Sequence, residues 1–186
     1  YLAAAAEESG YSVRIVDTTF SKSWEELEKA LEERPLLVGI SSQTNFLDNA
    51  IEATKLSKKI SPDSLTVLGG PHPTVSPEEI MRNPFVDAVV YGEGEKTVVE
   101  MIRCLREGGE ITGIKGLYLR HGSKILKTSE RPPIKELDSI PFPARHLLPQ
   151  EYFKYPETTL MASRGCPFDC SFCQPTLRKI FGTRIR

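Results

Sequence analysis

Leu65-Thr66-Val67-Leu68-Gly69-Gly70-Pro71-His72-Pro73-Thr74-Val75-Ser76-Pro77 is the stretch on which the fold turns. Leu65 to Leu68 does not alternate between apolar and charged residues, which predicts a strand buried on both faces. Gly69-Gly70 ends it. Ser76, Pro77 and Glu79 then form a capping box with proline at the first helical position. A strand, a glycine turn and a helix start make a βα unit.

The pattern repeats outward in both directions. Tyr1 to Ser9 is alanine-rich and helical, and Gly10 stops it. Ser12 to Asp17 carries Val13, Ile15 and Val16 and reads as a short strand. Ser23 and Glu26 predict a capping box, followed by Trp24, Leu27 and Leu31 at helical spacing, and Pro35 ends that helix. Leu36 to Ile40 is a continuous apolar run, a second strand of the buried kind. Asn45 to Ile60 is a long helix with Leu47, Ala50 and Ile51 inward, closed by Pro62. Val86 to Tyr91 is a strand. Glu95 to Arg106 is a helix with Val98, Met101, Ile102 and Leu105 on one face, ended by Gly108-Gly109. Gly116 to Arg120 and Lys124 to Leu126 flank His121-Gly122-Ser123 as a hairpin.

This order predicts an α/β fold: a doubly wound, mostly parallel Rossmann-like sheet with helices on both faces. Ligands in such folds meet the carboxyl ends of the strands. Three polar or glycine-rich segments fall there: Ser41-Ser42-Gln43-Thr44, Gly69-Gly70-Pro71-His72 and Gly92-Glu93-Gly94-Glu95. Arg131 to Pro156 differs. It holds six of the fourteen prolines and reads as an extended linker wrapped over the surface.

The 186 residues allow one ordinary domain, or one domain and the start of another. Apolar residues at 39% and charged residues at 26% allow a buried core. With 24 basic and 25 acidic residues the net charge is −1, which gives no electrostatic case for nucleic acid or an acidic membrane surface. No stretch has the length of a membrane span, and no signal peptide is visible, so a cytoplasmic location is expected. The first residue is Tyr and the chain stops just after a cysteine loop, so the sequence reads as an excerpt of a longer protein.

Three of the four cysteines, Cys166, Cys170 and Cys173, lie within eight residues at C-x3-C-x2-C spacing. Close spacing lets three thiolates converge on one metal centre at little loop-closure cost. An ordinary four-iron cluster takes four cysteines, and structural zinc takes four Cys or His ligands. Here Cys104 belongs to a helix and reads as a core cysteine, while His146 is remote across the proline-rich stretch. Three thiolates on a four-iron cluster leave one iron open, which suits chemistry better than structure.

Cys166-x3-Cys170-x-Phe172-Cys173 resembles the signature of the radical S-adenosylmethionine enzymes. The resemblance implies that Cys166, Cys170 and Cys173 hold a [4Fe-4S] cluster. Its open iron would chelate S-adenosylmethionine, whose cleavage gives a 5′-deoxyadenosyl radical. Phe172 takes the aromatic position beside the adenine.

A second resemblance covers roughly residues 1 to 150. The stretches Tyr1 to Ala5, Val38 to Ser42, Leu68 to Thr74, Val86 to Glu95 and Leu137 to Ala144 look like the cobalamin-binding domain that precedes the radical barrel in one subfamily. That subfamily includes anaerobic magnesium-protoporphyrin monomethyl ester cyclase-like proteins and many methyltransferases. It implies cobalamin at Ser41, Ser42, Thr44, Gly69, Gly70, Pro71, His72, Gly92, Glu93 and Gly94. The motif Asp-x-His-x-x-Gly, which supplies the lower cobalt ligand in many cobalamin domains, is not in this sequence. The sheet's usual first strand would precede residue 1, which predicts unpaired backbone unless another segment fills the gap.

The expected domains are 1–128, of cobalamin-binding type; 129–157, the linker; and 158–186, the start of a truncated radical β/α barrel, with Thr158 to Ala162 as its first strand. The whole protein is expected to perform radical methyl transfer or cyclisation on a small-molecule, lipid or tetrapyrrole-like substrate, fed by an external electron donor; the excerpt alone is expected to be inert. Two alternatives stand: a cobalamin-free radical enzyme of methylthiotransferase type, and a non-enzymatic cobalamin- or metal-binding module.

Overall fold

The apolar runs form one five-stranded sheet. The computed structural model describes residues 1–18, 23–154, 159, 161–168 and 170–172. In it β1 (Leu37–Ser41), β2 (Leu65–Gly69) and β3 (Ala88–Val90) lie parallel and adjacent. β4 (Leu117–His121) and β5 (Lys124–Lys127) form the expected hairpin. That hairpin extends the sheet antiparallel to β3, so the spatial order is β1-β2-β3-β4-β5.

Helices cover both faces, as a doubly wound fold requires. They are α1 (Leu2–Glu8), α2 (Glu25–Glu32), α3 (Leu47–Ile60), α4 (Pro71–Val75), α5 (Pro77–Met81) and α6 (Glu95–Arg106). Successive strand residues point to opposite faces. Val67, Ala88, Val90, Leu117 and Leu119 pack with Met101 of α6. Leu68, Val89 and Tyr118 pack on the other face with Ala50 of α3 and Ile80 and Met81 of α5. Leu68, Met101 and Leu117 are fully buried, each contributing roughly 2–3 kcal/mol of apolar burial.

Several local expectations are corrected. Ser12 to Asp17 forms no strand. Its residues keep a partly alternating burial, but β1 stands at the sheet edge and no ladder reaches the segment. Periodicity proposes a strand; a partner's backbone makes one. α2 starts at Glu25 with Trp24, not Ser23, as its N-cap. Ser76 and Pro77 do occupy the N-cap and first position of α5, without the side-chain cap bond of a capping box. Pro71–Val75, between the glycine turn and the helix expected from Ser76, is itself a short helix, α4. Pro71 has its φ preset for the first helical position, and Pro73 lacks only an N–H that the first turn leaves unused.

The proline-rich stretch crosses the surface through short 3-10 turns at Leu137–Ser139, Arg145–Leu147 and Gln150–Lys154. Its own Ile134 and Ala144 are buried, and Arg131 forks onto Glu100 of α6. The strand expected over Thr158 to Ala162 lies partly outside the described residues; Thr159, Met161 and Ala162 belong to no strand. Among the described residues no helix is long and apolar enough to cross a membrane.

Candidate functional site

The parallel strands bring the three polar segments to one edge. β1 ends at Ser41, β2 at Gly69 and β3 at Val90, and the loops that follow touch one another. Ser42 N–H donates to the Gly69 carbonyl at 2.9 Å, and His72 N–H donates to the Ser42 carbonyl at 3.2 Å. Gly70 has φ +100° and ψ −171°, a region only glycine occupies readily. A Cβ there would stand 2.9 Å from the Ser42 carbonyl oxygen and 3.0 Å from Ser41 Oγ. The missing side chain at Gly70 is therefore needed by the protein's own backbone. At Gly69 a Cβ would make only ordinary contact, 3.7 Å from the Val90 carbonyl oxygen.

Thr74 ties this pair of loops to the third. Its hydroxyl donates to the Gly70 carbonyl at 2.7 Å and accepts from Gly92 N–H at 3.3 Å. Ser42 is buried, its hydroxyl turned to the Gln43 carbonyl, whereas Ser41, Thr44 and Pro71 are exposed. Thr44 Oγ1 lies 3.1 Å from His72 Nδ1, which orients the imidazole. The other ring nitrogen, Nε2, is buried and has no partner among the described residues. A buried polar atom without a partner is uncommon and marks a place where a polar group belongs. Phe46, absent from the sequence-based set, stands 55% exposed beside these loops, between Thr44 and α3.

Gly92-Glu93-Gly94-Glu95 is built differently. Glu93 and Glu95 are buried, and both face Arg164. Arg164 Nη2 donates to Glu95 Oε1 at 2.5 Å, and Nη1 stands 3.4 Å from Glu93 Oε1. Ile134 N–H donates to Glu93 Oε2 at 2.5 Å. Burial alone would lower the pKa of Arg164. The hydrogen bond and charge of Glu95, with those of Glu93, outweigh it and raise the pKa above the ordinary value. The carboxylate of Glu93, one of the residues expected near a cofactor, is engaged by the chain itself. Gly94 lets Leu2 of α1 come close, because a Cβ would stand 3.1 Å from Leu2 Cδ2.

Arg164 was not singled out by sequence reading. The available signal was its place, two residues before Cys166, together with two acids in one glycine turn. Beyond it, Cys166 and Cys170 are exposed free thiols and Phe172 is 91% exposed. Cys173 lies outside the described residues. Among the described residues no group of three or more potential metal ligands is gathered.

The chain matches the B12 binding domain family over residues 1–102. It is 39% identical to an uncharacterized methyltransferase of Pyrococcus horikoshii, with the alignment covering all of this chain and 41% of that protein. It is 32% identical to the anaerobic magnesium-protoporphyrin IX monomethyl ester cyclase of Rubrivivax gelatinosus, over 93% of this chain and 33% of the relative. The chain thus spans well under half the length of these relatives. Two solved structures share its fold. The radical S-adenosylmethionine methyltransferase TsrM of Kitasatospora setae superposes with a TM-score of 0.81 at 21% identity, over 99% of this chain and 39% of that one. The cobalamin-dependent S-adenosylmethionine radical enzyme OxsB superposes with a TM-score of 0.82 at 24% identity, over 100% of this chain and 26% of that one.

Proposed function

The chain belongs to the B12 binding domain family, and we propose that it is the cobalamin-holding front of a radical S-adenosylmethionine enzyme, a methyltransferase or cyclase. One observation carries this reading. The loops after β1, β2 and β3 and the entrance to the cysteine loop meet at a single edge of the sheet, because Arg164 is paired there with Glu93 and Glu95. A cofactor seated on the edge loops and a cluster on the cysteines would then face a common space.

The residues fit these groups. Ser41 and Thr44 offer exposed hydroxyls, and His72 offers the unpartnered Nε2, to the amides or nucleotide tail of a corrin. Gly69, Pro71 and Gly92 line the same edge with little side-chain bulk. Gly70 and the buried Ser42 hold the loops that present these groups. The exposed thiols of Cys166 and Cys170, with Cys173, form the three-thiolate set of a site-differentiated [4Fe-4S] cluster. The backbone at Phe172 would meet the adenine of S-adenosylmethionine. Bound, the cluster with S-adenosylmethionine supplies a carbon-centred radical, and the corrin supplies a transferable methyl group. The substrate would be a small molecule, lipid or tetrapyrrole, and reduction would need an external electron donor.

The test is anaerobic reconstitution of the full-length protein with iron, sulfide and hydroxocobalamin, followed by visible spectra after desalting. The expected result is retained corrin bands and a cluster absorbance that Cys170→Ala removes while the corrin stays. A cluster without corrin would replace this reading with the cobalamin-free radical enzyme.

A further inference from the structure

Glu93, Glu95 and Arg164 form a buried ionic triad between segments 69 residues apart. The side chains are 4%, 9% and 13% exposed respectively. Such triads contribute little net stability, because desolvation offsets most of the attraction. What they do contribute is a fixed position, since breaking one leaves a buried charge unpaired.

The position fixed here is that of the cysteine loop. Among the described residues of 161–172, Arg164 is the only one that is not exposed. Its guanidinium also lies 5.6 Å from the Tyr1 ring centroid. Gly165 follows with φ +92°, in the left-handed region that favours glycine, between Arg164 and Cys166. The second oxygen of Glu93 meanwhile holds Ile134 N–H, so the proline-rich stretch enters the same cluster before the chain reaches the loop.

We infer that Arg164 is a positioning residue: with Glu93 and Glu95 it clamps the cysteine loop to the carboxyl edge of the sheet, and Glu93 locks the linker into the same register. The Gly-Glu-Gly-Glu turn is thus a docking point for the cluster-bearing loop. The consequence for catalysis rests on the proposed cobalamin and cluster sites. The clamp itself does not.

Two measurements on the full-length protein separate the two claims. The first needs no cofactor. Trypsin can cut after Arg164 only when that side chain leaves the triad. Glu95→Gln and Glu93→Gln should each speed cleavage at Arg164–Gly165 by about tenfold, because either leaves the cluster short of a charge. Glu93→Gln should also speed exchange of the Ile134 amide, while the amides of β2 and β3 keep their protection. Unchanged cleavage at Arg164 would overturn the clamp. A rise in exchange that includes β2 and β3 would reduce the triad to general structural support, and so overturn it too.

The second measurement uses the reconstituted, dithionite-reduced protein, reading how the reduced cluster hastens spin relaxation of cob(II)alamin. Arg164→Gln should weaken that effect with cluster and corrin contents unchanged, and Arg164→Lys should retain part of it. An unchanged effect in Arg164→Gln would overturn the positioning role. Wild-type protein that binds no corrin would instead remove the proposed function, leaving the trypsin result to judge the clamp.

Discussion

The carboxyl edge of the sheet has two halves built on different physics. At the ends of β1 and β2, neutral backbone closes on neutral backbone, and Gly70 supplies the space. At the end of β3, two buried carboxylates hold a guanidinium from the far end of the chain. In the first half Gly70 has no room for an added Cβ. The second half depends on charge, and its Gly94 faces only side chains. One edge can therefore both present a rigid rim of polar groups and fasten a distant loop.

The largest test of that contrast is Gly70→Ala. The new Cβ would press on the Ser42 carbonyl, and the backbone would sit in a glycine-only region. A loss of ~3 kcal/mol is expected in urea denaturation, and retained corrin should fall with it. If Gly70→Ala were neutral, the rim would not be the rigid half.

Thr74→Val probes the joint between the halves. It keeps shape but removes the hydroxyl that bridges the Gly70 carbonyl and Gly92 N–H. A cost of about 1–2 kcal/mol is expected, since both groups lose a partner. Thermal unfolding should show it, with trypsin cleavage at Arg164 unchanged. Accelerated cleavage there would mean that the two halves are one cooperative unit.

Gly94→Ala gives the smallest expected effect. Its φ of −97° suits any residue, and the new Cβ would press only on the far end of Leu2, with Val90 Cγ1 in ordinary contact at 3.5 Å. A change within about 0.5 kcal/mol is expected in the same denaturation assay. A loss matching that of Gly70→Ala would erase the distinction between the halves.

Much of this architecture was legible in the chain. Leu65 to Leu68 announced a buried strand and Val86 to Tyr91 a strand, and the comparisons with TsrM and OxsB bear out the fold class. Leu36 to Ile40 announced its strand but not its burial: β1 stands at the sheet edge, where none of its residues is fully buried. The cobalamin-domain resemblance was equally legible, and the match over residues 1–102 bears it out. Ser12 to Asp17 misled because alternation is a property of one segment, whereas a strand is a property of two. The turn after β2 hid α4, because two prolines suggest a break when they are not recognised as the opening positions of a helix.

The sequence alone determined most of the local elements and the spacing of the cysteines. Backbone sterics and periodicity act over a few residues and leave their mark in the string. Only the tertiary structure decided that Ser42 is buried while Ser41 is exposed, that His72 Nε2 is enclosed without a partner among the described residues, and that Glu93 and Glu95 face Arg164. Those outcomes depend on which strand ends meet and where the proline-rich stretch crosses them. Charges 69 residues apart carry no local signal of their pairing until the sheet has brought its edge loops together.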